Sequence, residues 1–438
     1  MVLQEEPGWF VFSATGMNIT IEKLTIGGQG LGRTPDGKIA FVWNALPTEV
    51  VEVQILKNKR THCDAVASAV LTPSPHRTAS KQAHFLSSCP WDMMDWDTEL
   101  FWKKEIAKET FHKNAGIVLD EMDIATDGTQ YGYHNKMEYS FAEREDGSLS
   151  LALYARGTHK RVPVAPDVLA TNAVNSAAAA LCNWVNEMPL TLRNVKSIIA
   201  RSNAKGETLA GVFLKDDLSF DVYPARTPNA AGVHVYYSTH KSPASVPTRL
   251  IHADGEDSLA ETVRGVALQY GLFSFFQVNV PVFTTALDDI AAHISKNDAL
   301  VDMYAGVGAI GLPLAKDVSS CTLVEANEEA AAYAQKNIQD NHIENAVVHT
   351  VFAERMLEAI TKDCVLVVDP PRAGLHTDVV ARIREVRPKK VIYLSCNIAT
   401  QARDIGLLAP DYDRTFFRLY NFFPRTPHIE ALCVLTRK

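Results

Sequence analysis

Leu300-Val301-Asp302-Met303-Tyr304-Ala305-Gly306-Val307-Gly308-Ala309-Ile310-Gly311 runs from an apolar strand through a carboxylate into a glycine loop. Two later stretches repeat that plan. Val365-Leu-Val-Val-Asp369 leads into Pro370-Pro371-Arg372, and Val391-Ile-Tyr-Leu-Ser395 delivers Cys396 and Asn397. From about residue 285 onward, apolar strands at 299–303, 321–325, 347–351, 365–369 and 391–395 alternate with helical stretches, the clearest at 328–341. A last apolar strand spans 431–435. Such alternation predicts an α/β fold with a doubly wound parallel sheet. Ligands of open α/β sheets sit beyond the carboxyl ends of the strands, so all three strand ends face one crevice.

Gly306-Val-Gly308-Ala-Ile-Gly311 matches the dinucleotide fingerprint, and Glu325 falls near its expected acid. Alone, this favours NAD. Asp302 argues otherwise, because a carboxylate beside the loop repels a pyrophosphate seated over the helix N-terminus. S-adenosylmethionine carries no phosphate, and its ammonium and sulfonium are cationic. With Glu325 as the ribose-binding acid, it is the expected cofactor. Glycines that merely allow tight packing would leave the two acids unexplained.

Enzymes that methylate exocyclic amines often follow Asn/Asp-Pro-Pro with an aromatic residue; here Arg372 stands there, which disfavours that chemistry. A carbon acceptor needs another route. Pyrimidine C5 is a poor nucleophile until a group adds to C6, and a cysteine thiolate can do so. Cys396 is placed for that attack. A lone cysteine beside an apolar run is more often core, and Cys321, Cys364 and Cys433 are read that way. After transfer, C5 holds a hydrogen that a base must remove before the sulfur can leave. Glu430, in Pro424-Arg-Thr-Pro-His428-Ile-Glu430, enters the crevice from the last strand. For an arbitrary glutamate a solvated carboxylate is the commoner outcome.

The 438 residues, 47% of them hydrophobic, predict two or three domains. No long charge block occurs, so disorder is expected only at the extreme N-terminus. Met1-Val-Leu-Gln-Glu-Glu-Pro7 does not read as a signal peptide, and no apolar run is long enough for a bilayer. Seven scattered cysteines without a C-x-x-C pair fit a reducing cytoplasm and argue against a disulfide framework or zinc ribbon. The net charge of -8 is awkward for a nucleic-acid partner. Local cationic clusters nonetheless occur at Lys57, Lys59 and Arg60, at Lys103, Lys104 and Lys108, and at Arg156, Lys160 and Arg161.

Strands at 18–24, 38–42 and 50–57, with turns at Gly27-Gly28-Gln29-Gly30-Leu31-Gly32 and Asp36-Gly37, predict a small five-stranded barrel over 14–74. The glycine run lacks a following helix and a Lys-Ser/Thr pair, so a hairpin is expected rather than a phosphate loop. After the linker Leu71-Thr-Pro-Ser-Pro-His-Arg77 comes a helix at 97–112 with Leu100, Phe101, Ile106 and Phe111 as its apolar positions. Strands at 149–154, 211–214 and 233–237 and an alanine-rich helix at 173–185 predict a central α+β domain, without chemistry of its own.

Together these motifs resemble the RNA uracil-C5 methyltransferase family, most closely over 285–438 and across most of the chain. The carriers are Phe276-Gln-Val-Asn279, Asp302-Met-Tyr-Ala-Gly-Val-Gly308, Asp369-Pro-Pro-Arg-Ala-Gly-Leu375, Ser395-Cys-Asn397 and His428-Ile-Glu430. The resemblance implies a Rossmann-like class I methyltransferase domain over 261–438 and an OB-like, RNA-binding TRAM barrel over 14–74. It also implies a central RNA-binding domain over 92–260, signalled by Asn135-Lys-Met-Glu-Tyr-Ser-Phe141. Gln277, Tyr304, Glu325 and Asp369 are then contacts to S-adenosylmethionine, beside Asp302, Gly306 and Gly308 of the loop. Cys396 is the nucleophile and Glu430 the base. Two positions depart from the pattern. Many members bind an iron-sulfur cluster through four cysteines, whereas Ser87-Ser-Cys89-Pro-Trp-Asp92 offers one, so no cluster is expected. Ile398 replaces the usual proline after Ser-Cys-Asn, a change able to reshape the loop.

The expected function is methylation of uridine C5 in structured RNA, transfer or ribosomal, by a cytoplasmic monomer with no membrane partner. Phe275 and Phe276 are candidates to line the base pocket. The alternatives are a non-catalytic RNA-binding or assembly factor and an RNA cytosine-C5 methyltransferase. The latter usually carries a second cysteine where Arg372 stands.

Overall fold

The computed structural model describes residues 16–158, 160–164, 166–242 and 245–438. The expectations for the first residues, disorder and the absence of a signal peptide, lie outside these. Strands β1 (Met17–Leu24), β2 (Gly30–Arg33), β3 (Ile39–Trp43), β4 (Val50–Asn58) and β5 (His62–Thr72) close a barrel in the order β1-β2-β3-β5-β4. Ile19, Ile21, Ala40, Val42, Val51 and Val53 alternate into its core. A Cβ on Gly32 would come 2.5 Å from Ile19 Cγ2 and Thr20 O. The glycine run thus serves close strand packing in the β1–β2 hairpin.

A short helix α1 (Phe85–Ser88) precedes α2 (Trp96–Ala115). Asp95 caps α2 by accepting from Thr98 N at 2.8 Å, and Gly116 ends it in the left-handed conformation. Ile106 and Phe111 are buried as expected. Phe101 is not: it is 54% exposed, because it sits on the outer face of a helix that buries the opposite one. The two-residue β6 (Ile124–Ala125) follows.

In the middle of the chain β7 (Lys136–Glu143), β8 (Leu149–Tyr154), β9 (Arg161–Pro163), α3 (Asn172–Glu187), β10 (Val195–Ser202), β11 (Thr208–Leu214), β12 (Ala230–Tyr237) and β13 (Arg249–Gly255) form an α+β unit. Its sheet order is β13-β12-β11-β10-β7-β8-β9, and α3 packs Val174, Ala178, Leu181 and Val185 against it.

The hairpin β14 (Ser258–Val263) and β15 (Val266–Gly271) leads into α4 (Val280–Ala291), β16 (Ala299–Met303), α5 (Gly311–Leu314), β17 (Ser320–Glu325), α6 (Glu328–Asp340) and β18 (Ala346–Thr350). Then come β19 (Val365–Val368), α7 (Thr377–Val386), β20 (Lys390–Ser395), α8 (Ile398–Leu408), β21 (Tyr412–Tyr420) and β22 (Glu430–Arg437). The sheet order is β18-β17-β16-β19-β20-β22-β21-β6. Its first five strands are parallel, while β22 runs antiparallel to both β20 and β21. All four residues of β19 are fully buried, as a central strand covered on both faces requires. The N-terminal half also enters this unit. β6 pairs with β21, and Ile106 and Phe111 of α2 share one core with Val301, Val368 and Val391.

Candidate active site

Pairing brings the ends of the three decisive strands level. Val368 of β19 lies opposite Met303 of β16 and Tyr393 of β20, so Tyr304, Asp369 and Ser395 to Cys396 follow at one edge. Ser395 pairs with Ala431 across β20 and β22. Cys396 and Glu430 therefore emerge side by side from neighbouring strands. Of the seven cysteines, only Cys396 is not buried.

The turn after β20 is tied down. Asn397 caps α8 by accepting from Ala399 N at 3.1 Å, and its Nδ2 donates to Arg372 O at 2.8 Å. Asp404 on α8 accepts from Leu375 N and from the Tyr393 hydroxyl, both at 2.9 Å. Arg403 donates to Ala373 O at 3.0 Å. The Asp-Pro-Pro loop and the cysteine turn thus share α8 as a clamp. Ile398 is the first residue of that helix, a position that suits proline equally well, and its buried side chain leaves the cap intact.

Burial dominates the electrostatics. Glu430 is 3% exposed, and its carboxyl is held well above the usual range by burial, with the neighbouring Asp369 adding and Arg372 opposing. Burial lifts Asp369 to about 7. The Cys396 thiol is pushed up to about 11 by burial and then by Glu430 and Asp369, again opposed by Arg372. Two carboxyls and a thiol converge on a crevice where the exposed Arg372 is the cation that opposes the rise of Glu430 and Cys396. A cofactor carrying positive charge suits these acids, and one carrying a pyrophosphate does not.

The glycine loop lies next to it. Gly306 N donates to Glu325 Oε2 at 2.8 Å, while Glu325 Oε1 accepts from Asn327 N at 2.7 Å. Gly306 and Gly308 have φ of 57° and 83°, and Tyr304 shares the left-handed region at 67°. Asp302 is fully buried beneath the loop; Oδ2 accepts from Gly311 N at 2.8 Å and Oδ1 has no partner. A Cβ on Gly311 would come 2.9 Å from Asp302 Oδ2, Cys321 Sγ and Leu323 Cδ2, so only glycine fits over the carboxylate. A cavity of about 870 Å³ opens alongside, lined among others by Tyr304, Glu325, Phe352, Glu354, Pro371 and His376.

The expected residues therefore fall into groups. Cys396, Glu430 and Asp369 cluster; Tyr304 and Glu325 line the cavity; Asp302, Gly306 and Gly308 build the loop. Gln277 is buried on the neighbouring segment, where its carbonyl accepts from Asn135 Nδ2 at 3.1 Å. Phe276 cannot line a base pocket: it is 2% exposed and stacks on Tyr270 at 4.3 Å. Phe275 is 69% exposed and remains available. Lys103, expected on a basic surface, is fully buried. Phe352 and Glu354 went unread because they follow β18 without any motif; an exposed aromatic after a strand end was the one available signal.

Asp302 gives a pH test. Burial lifts it from 3.8 to about 8, with Asp369 and Glu325 adding and the Gly311 N–H opposing. The folded chain keeps this proton while the unfolded chain releases it, so the contribution to stability is full below the ordinary carboxylate range and is lost as pH rises towards 8. Asp302→Asn keeps an acceptor for Gly311. It should flatten the loss of melting temperature between about pH 5.5 and 8.5, a slope of up to about 1.4 kcal/mol per pH unit for one group. Equal slopes in thermal melts of the two proteins would refute it.

Residues 256–438 match the profile of the tRNA (Uracil-5-)-methyltransferase family, and residues 15–67 match the TRAM domain. Residues 256–438 thus form a domain of the tRNA (uracil-5-)-methyltransferase family. Relatives of this methyltransferase include an uncharacterized RNA methyltransferase of Bacillus cereus, 27% identical over 96% of each chain. Another, from Caldanaerobacter subterraneus, is 28% identical over 96% of this chain and 98% of its own. Among solved structures, the Pyrococcus abyssi tRNA (uracil-54, C5)-methyltransferase in complex with S-adenosyl-L-homocysteine superposes with a TM-score of 0.78 at 22% identity, covering 96% of this methyltransferase and all of that chain. That likeness shows a shared fold. No described helix is long and apolar enough to cross a membrane, and no group of three or more His, Cys, Asp or Glu among the described residues is arranged to hold a metal. Cys89 is buried with Tyr133 and Leu169.

Proposed function

We propose that this methyltransferase modifies C5 of a uridine in structured RNA, transfer or ribosomal, with S-adenosylmethionine as donor. The observation that carries the reading is that Cys396, the one cysteine not buried, follows Ser395 at the loop-bearing sheet edge where Ser395 pairs with Ala431, next to the buried Glu430. Gln277, Tyr304, Gly306, Gly308, Glu325 and Asp369 would hold the cofactor, with Asp302 acting through the loop. Bound there, S-adenosylmethionine supplies an electrophilic methyl on a cationic sulfur.

The target base must leave its stack to reach the crevice. Cys396, once deprotonated, adds to C6, and the C5–C6 π pair moves towards C5 and O4. Arg372, the cation that opposes the rise of the thiol, favours the thiolate. After C5 is methylated, Glu430 takes the C5 proton; that electron pair re-forms C5=C6 and the sulfur leaves as thiolate. The burial that raises Glu430 makes its ionised form a stronger base.

RNA support comes from the family, the barrel and its surroundings. Lys57, Lys59 and Arg60 are exposed on the barrel. Arg156 of the central unit stacks over Trp43 of the barrel at 4.8 Å, and Gly157 abuts Leu56 beside Lys57, so the central unit meets the barrel next to that cluster. Phe275 offers an exposed face for base stacking. Mass-spectrometric mapping of 5-methyluridine in transfer and ribosomal RNA from cells lacking the chain tests the reading. One methyluridine should vanish and return with the restored gene; an unchanged map would overturn it.

A further inference from the structure

The segment 421–429 carries Glu430 into β22, and it is gripped by groups that no step above uses. Glu99 and Lys103, one turn apart on α2 and both fully buried, form an ion pair at 3.0 Å. Lys103 Nζ donates to Asn421 Oδ1 at 2.6 Å and Phe423 O at 3.1 Å. The Glu99 carboxylate accepts the backbone N–H of Arg425 at 3.1 and 3.0 Å, and Asn421 Nδ2 at 3.2 Å. Arg425 holds a φ of 63°, donates to Met94 O at 2.7 Å, and faces the rings of Trp96 and Tyr131.

The barrel reaches the same segment. Trp91 donates from its backbone N to Arg425 O at 3.1 Å and from Nε1 to Gly28 O at 3.0 Å. Gly28, in the β1–β2 turn with φ of 90°, packs so closely that a Cβ would lie 2.6 Å from the Cβ and Cγ of Pro427. Pro427 is three residues before Glu430. A buried ion pair is weak support for stability, since desolvation cancels much of its attraction, but one with every hydrogen bond made fixes geometry.

We propose that the Glu99–Lys103 pair and the barrel turn at Gly28 form a brace that positions Glu430 for removal of the C5 proton, so the barrel contributes to turnover as well as to RNA affinity. The inference rests on the reading of Glu430 as the base. Glu99, Lys103 and Gly28 are positioning residues; they act through the 421–429 segment.

The test uses full-length Lys103→Met and Gly28→Val proteins, S-adenosylmethionine, and RNA from cells lacking the chain. Gly28→Val removes no charge, so it keeps the test open if Lys103→Met fails to fold. Misplacing the base should lower kcat by roughly 100-fold without raising KM for RNA. RNA-linked enzyme should also build up on denaturing gels, as in Glu430→Gln. Unaltered kcat in folded Gly28→Val protein would overturn the brace. So would a rise in KM that accounts for the loss, with no RNA-linked band. A Glu430→Gln protein that forms no such band would instead overturn the base assignment, and the brace with it.

Discussion

Cys396→Ala should abolish methyl transfer, by at least about 10⁴-fold, as loss of a covalent nucleophile does elsewhere. The argument is electronic. C5 of uracil becomes nucleophilic only after a group adds to C6, and no other cysteine can serve because the remaining six are buried. Serine at this position would be far less reactive, since its hydroxyl ionises much less readily than a thiol. Cofactor affinity should persist, because in the proposed mechanism the sulfur adds to the base and not to the donor. The measurement is release of labelled methyl into RNA, with calorimetry for the cofactor. Wild-type methylation by Cys396→Ala would remove the mechanism. A pH dependence belongs with it: burial places the thiol at about 11, so alkylation of Cys396 in cofactor-free protein should accelerate steadily from neutral pH upward.

Glu430→Gln should fail later in the cycle. The amide preserves shape but cannot accept the C5 proton, so the first methyl is transferred and the sulfur stays bound to C6. Turnover should drop by about 10² to 10⁴, the usual contribution of general base catalysis. The diagnostic is an RNA-protein species that survives denaturation and carries the donated methyl. A variant that turns over freely, or forms a linked species without the methyl, would sink the assignment.

Much of the fold was legible because parallel strands buried on both faces read as unbroken apolar runs, as Val365-Leu-Val-Val368 does. β21 escaped notice because its middle, Asp413 to Arg418, mixes charge with aromatics at a sheet position that is only partly covered. At the site, a strand end says where along the chain a residue falls but not which side it takes. Asp302 went under the loop, and Phe276 turned inward while its neighbour Phe275 turned out. Lys103 shows a harder limit. A lysine in a basic cluster reads as solvent-facing, and nothing local reveals partners 318 and 320 residues away.

The strand pairing of Ile124 and Ala125 with β21, and the seating of α2 under the same sheet, have a consequence for inheritance. The family profile begins at 256, yet cutting the chain there would strip the hydrogen-bonding edge of β21 and bare the apolar bed of Ile106 and Phe111. The catalytic half is therefore not a cassette that recombination can shuffle freely. It has to travel with α2 and β6.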